Sequence, residues 1–135
     1  MLSTLACVAR YLSGKEPGSG FWRVERESNG SEKIAIWDAS LGPMPTQAEI
    51  DAAALPAVKA YRIPFNRAEC ERRIYARYPI GRQLSSLAGR YDAVNVAVMD
   101  EWIVANIQAE NAAADAIEAA TTVAAVEAVT VAWPA

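Results

Sequence analysis

From Tyr91 to Val131 the chain contains neither glycine nor proline. A run of this length without a breaker is most easily satisfied by helix, since alanine dominates it and alanine is the best helix former. Taking Trp102 as position a, a 3.5-residue seam reads Trp102, Ala105, Ala109, Ala112, Ala116, Ala119, Val123, Val126, Thr130 and Trp133. Polar groups stay off that seam until Thr130, which predicts a long helix with an interhelical face. Alanine lets backbones approach closely but contributes about 1 kcal/mol or less of burial per residue, so such a helix needs a partner. That partner is either another helix of the same chain or copies of itself; the competing reading is an alanine-rich helix with no seam at all. The end of the run, Thr121 to Trp133, is rich in Val and Thr and also fits an extended segment that leaves the helix and docks.

Charge is segregated along the chain. Residues 62–90 hold seven Arg against two Glu, a net of +5, whereas residues 91–135 hold seven acids and no Lys or Arg, a net of -7. The two segments can pair within or between chains, or remain solvated faces. Arg67, Arg72, Arg73, Arg77 and Arg82 interleave with Tyr75 and Tyr78, a pattern compatible with stacking on single strands. The acidic balance (pI ≈ 5.0) and the absence of a recognised motif argue instead for tyrosines packed on a neighbouring helix and arginines turned toward the acidic segment, so no nucleic-acid partner is expected.

The first half reads as a small α+β module. Leu2, Leu5, Val8, Ala9 and Leu12 lie at helical spacing and end at Ser13-Gly14. Phe21–Glu27 alternates, Asn29-Gly30 follows, and Lys33–Trp37 is β-prone, which predicts a hairpin with a tight primed turn, Asn29 and Gly30 both at positive φ. Pro43 and Pro45 turn the chain. Thr46 and Glu49 form a capping box opening a helix that ends near Pro56, and Asn66 with Glu69 opens a second helix from Arg67 to about Arg77. A further piece begins near Arg82 and pauses at Gly89. The expected fold is therefore α+β: a helix–hairpin–helix module over residues 1–60, then a mainly helical region over 61–135 with a long acidic, alanine-rich helix for oligomerisation or attachment.

Catalytic chemistry is not legible. With no histidine, Ser-His-Asp, Cys-His and most zinc sites are excluded. Cys7 and Cys70 have no metal or redox spacing and read as reduced, buried thiols. Carboxylate pairs such as Asp100/Glu101 read as solvating groups. No cofactor, no membrane span and no secretory signal is expected.

Residues 3–54 lay out a short helix ending in Tyr11-Leu12, a Pro/Gly loop with an aromatic (Pro17 to Phe21), a strand pair around a Gly turn, Ile-Ala-Ile-Trp37, and Pro43-Met-Pro-Thr-Gln-Ala-Glu-Ile50. This layout resembles the XkdW family of small phage and prophage proteins. Residues 67–87 are similar to a second phage tail segment, seen in tail-fibre assembly proteins, although Arg82 and Ser85-Ser86 stand where acids are usual. The resemblance implies a non-enzymatic tail protein, assembled in the host cytoplasm and resident in the virion tail, whose partner is a tail-fibre or baseplate protein within a homo- or hetero-oligomer. The alternative is a tail-fibre assembly chaperone that does not stay in the particle. Trp37, Trp102 and Trp133 are the expected aromatic anchors, with the alanine seam beside them.

Overall fold

The computed structural model describes residues 1–135 and is α+β, with five α-helices and one two-stranded antiparallel sheet. The elements are α1 (Thr4–Ser13), β1 (Trp22–Arg26), β2 (Glu32–Trp37), a 3-10 turn (Ala39–Leu41), α2 (Gln47–Arg77), α3 (Ile80–Leu87), α4 (Ala93–Ala119) and α5 (Val123–Ala128). They form two compact units, one of Met1–Tyr61 with Ala120–Val126, the other of Arg62–Ala119 with Glu127–Ala135.

In the first unit, α1 is closed at both ends. The Ser3 hydroxyl accepts from the Ala6 amide at 3.2 Å, and Gly14, at φ 65°, donates to the Arg10 carbonyl at 2.9 Å. Its buried face, Ala6 to Ala9, is made mostly of small side chains, which leaves room for Trp22 to lie against Ala6 and Ala9. Leu2, Phe21, Val24 and Trp37 close around that contact. The Trp22 indole, buried with the rest of its ring, donates to the Lys15 carbonyl at 2.8 Å and so satisfies its one polar atom. A hairpin alone is marginal in water; this one is held because its Trp22↔Trp37 end packs on α1.

The hairpin turn differs from the expected primed turn. Gly30 has φ 85°, but no non-glycine residue has positive φ, so Asn29 stays in the ordinary region. Gly30 donates to the Glu27 carbonyl (3.0 Å) and Glu27 to the Ser31 carbonyl (2.7 Å), a type I turn followed by a glycine bulge. Asn29 contributes its side chain instead: Oδ1 accepts from the Ser31 amide at 2.9 Å and the Ser31 hydroxyl at 2.6 Å.

The two helices expected on either side of Pro56 are one. α2 runs unbroken for 31 residues through Pro56 and Pro64, and Asn66, expected as an N-cap, is a buried helix-interior residue. One arm of the expected capping box opens α2, the Thr46 hydroxyl accepting from the Glu49 amide at 3.2 Å. A proline inside a helix removes one N–H and crowds the carbonyl four residues back. Here both prolines are exposed, as are Ala52 and Ala60, whose carbonyls lose their donors, so water can replace the missing bonds. Ala53, Ala57 and Val58 are buried beside Pro56, and that packing outweighs the local cost.

The expected long C-terminal helix is interrupted. α4 ends at Ala119, and Thr122 restarts the chain as α5, its hydroxyl accepting from the Ala125 amide and its carbonyl from the Val126 amide, both at 3.1 Å. A threonine side chain that captures a main-chain amide competes with helix continuation. Residues 129–135 are not helical, which realises the docked-segment reading of this stretch. We expect Pro56→Ala to restore a helical N–H and raise stability by about 2 kcal/mol, read as an upward shift of the urea midpoint; a lowered midpoint would show that α2 depends on the proline.

Candidate interaction surface

The second unit is organised by antiparallel contacts between the latter part of α2 and α4. Arg67 Nε lies 3.9 Å from Glu110, Arg73 Nε donates to Asn106 Oδ1 at 3.2 Å, and the Arg77 guanidinium stacks 4.6 Å from the Trp102 ring centroid. Asn106, fully buried, also donates to the Trp102 carbonyl at 2.9 Å, so its amide is used on both sides. Glu110 is almost as buried, yet its Oε1 takes no hydrogen bond and meets Arg67 only at a distance too long for one. Beside it, Cys70 is a free, buried thiol whose pKa is raised, first by desolvation and then by the negative charge of Glu110.

The basic stretch also holds residues 129–135. Arg62 donates to the Val129 carbonyl at 3.1 Å and Arg73 to the Pro134 carbonyl at 2.9 Å. Arg73 lies 5.2 Å from the Trp133 ring centroid, and the Trp102 indole donates to the Ala135 main-chain oxygen at 2.8 Å. Arg62, Arg73 and Arg77 thus turn to main-chain oxygens and indole faces, whereas the exposed Arg67 and Arg72 meet the acids Glu110 and Glu69. Tyr78 is buried edge-on against Trp102, with centroids 5.7 Å apart.

This geometry distributes the expected anchors unevenly. Trp102 and Trp133 are half-buried and join α4, α2 and the 129–135 segment within the second unit. Trp37 belongs to the core of the first unit, its indole nitrogen buried without a partner. Of the alanine seam, Ala105 and Ala109 are half-buried, whereas Ala112, Ala116 and Ala119 are exposed. Val126 is fully buried on the separate α5, and Thr130 is outside any helix, so the seam does not run straight through to Trp133.

The stripe that α4 buries is Met99, Asn106, Glu110, Ala113 and Ile117, about 100° round the helix from the alanines. This stripe was not among the sequence expectations, and Asn106 and Glu110 interrupt its apolar pattern with polar atoms. Their spacing of four, facing Arg67 and Arg73 six residues apart on α2, was the signal that could have found it.

Part of what remains uncovered is apolar. α3 has no buried residue and exposes Ile80, Leu84 and Leu87, and α4 exposes Val94, Val98, Val104 and Ile107. Tyr75, Pro79 and Ile80 line a shallow, mostly apolar groove next to α3. A second, more enclosed pocket of about 160 Å³ lies between Tyr78, Arg82, Tyr91 and Met99. No helix is long and apolar enough to cross a membrane. Comparison with family models, with curated proteins and with solved structures found no match.

Two outcomes follow for the buried polar groups. Glu110→Met should be neutral or stabilising by about 1 kcal/mol, because it removes a buried carboxylate whose ion pair is poor, as urea titration would show; a loss of more than about 2 kcal/mol would mean that the pair holds the helices. The raised Cys70 pKa keeps the native thiol protonated while the unfolded thiol ionises first, so stability falls as pH rises past the unfolded value. Alkylation of Cys70 should therefore track unfolding, and rapid labelling of the native chain would contradict its burial.

Proposed function

We propose that this chain is a non-enzymatic structural protein of a bacteriophage tail, associated with the tail fibre or baseplate and acting through protein–protein assembly. The observation that carries the reading is the 3–54 segment. Its helix, Pro/Gly loop, hairpin ending in Trp37 and Thr46-capped helix resemble the layout of XkdW-type proteins. The uncovered apolar faces of α3 and α4 add support, because contiguous exposed aliphatic side chains are the ordinary mark of an interaction site.

The working surface on this reading is the second unit. Its interior is held by the arginine contacts to α4 and to residues 129–135, which leaves the exposed apolar side chains of α3 and α4 for assembly contacts with a fibre or baseplate protein or with further copies of the chain. Trp37, Trp102 and Trp133 then act indirectly, by stiffening the two units from inside.

Quantitative mass spectrometry of purified particles tests this. The chain should be present in fixed stoichiometry to a known tail protein. Abundance in the infected-cell lysate with absence from particles would overturn residence in the virion and favour an assembly chaperone that uses the same apolar faces transiently.

A further inference from the structure

Two uncovered faces of the second unit match in spacing and oppose in charge. On α3, Ile80, Leu84 and Leu87 stand at i, i+4 and i+7 and are 59%, 57% and 85% exposed. There is no acid between Glu71 and Asp92, and Arg90 stands exposed just past the Gly89 turn. On α4, Val94 and Val98 are 73% and 52% exposed, and Glu101 completes the same i, i+4, i+7 stripe. From residue 91 onward there is no Lys or Arg to offset the acids.

We infer that the α3 face of one copy docks on the Val94–Val98–Glu101 stripe of α4 in a second copy, and reciprocally. A two-fold axis repeats the contact, so the α3 face and the Val94–Val98 stripe of each copy are covered at once, while Val104 and Ile107 of α4 stay open for a different protein. Leu84 and Leu87 meet the valines, and Arg90 meets the partner's Glu101 at the rim. The chain itself supplies both the acceptor and the occupant, with opposite charge. An anionic membrane surface would accept α3 but leave the valines of α4 bare and repel its acids. The contact refines the assembly role proposed above, and the two fail separately. A dimer absent from particles removes the tail reading and keeps this one, whereas a monomeric chain at fixed stoichiometry in particles does the reverse.

Sedimentation equilibrium of the full chain is the test. The wild type should dimerise, more weakly as salt is raised. Leu87→Asp and Val98→Asp, at positions already exposed and therefore tolerable to the fold by circular dichroism, should each weaken the dimer about tenfold or more. Arg90→Glu and Glu101→Arg should each weaken it and together restore it. A wild type that stays monomeric at every concentration, or a dimer indifferent to both aspartates, overturns the inference. So does a monomer that binds phosphatidylserine vesicles through Leu87, which would make α3 a membrane-surface helix.

Discussion

The Arg73 guanidinium is the joint on which the second unit depends. One nitrogen bonds Asn106 at the centre of α4, another bonds the Pro134 carbonyl, and the plane covers Trp133. A planar, permanently charged group with donors on several edges can serve three partners at once in a way that lysine cannot. α4, the 129–135 segment and α2 meet at this side chain. Without it the buried Asn106 would hold an unmet amide oxygen, at a cost of about 1–3 kcal/mol.

This use of arginine changes the meaning of the charge segregation. A block of seven arginines followed by an acidic, lysine-free stretch suggests ion pairing, yet Arg67–Glu110 is the one long-range pair of that kind, and it is long and unevenly buried. The larger part of the basic charge is engaged by carbonyl oxygens and by the π faces of Trp102, Trp133, Tyr78 and Tyr91. Such contacts hold an irregular segment against helices without a carboxylate at each site. Arg82 and Arg90 keep their positive charge close to α3, beside the apolar face that the chain leaves open.

Local signals in the sequence were legible where the chemistry is local. Gly14, the alternation before Asn29, the Thr46 cap and the Gly89 stop each act within four or five residues, and each element they mark is present. The misses are tertiary. Pro56 read as a helix end because the local cost is real; only the burial of Ala53, Ala57 and Val58 reveals why the helix continues. The buried stripe of α4 carries Asn106 and Glu110, whose polar atoms become tolerable there only because Arg73 and Arg67 face them in the fold. Asn29-Gly30 foretold the turn, but positive φ was expected at both residues and only Gly30 takes it. Of the candidate surface, the alanine stripe was visible as a pattern, whereas the open face of α3 was not, since exposure of Leu84 or Leu87 is a property of the fold and not of the sequence.

A double-mutant cycle between Arg73 and Asn106 measures most directly whether the basic stretch of α2 serves the chain's own interior. Urea unfolding of Arg73→Ala, Asn106→Ala and the double variant should give a coupling energy of about 1 kcal/mol or more, each single change being costly and the pair less than additive. Additive effects would mean that the two side chains do not hold each other, and that the arginines of α2 are available to something outside the chain.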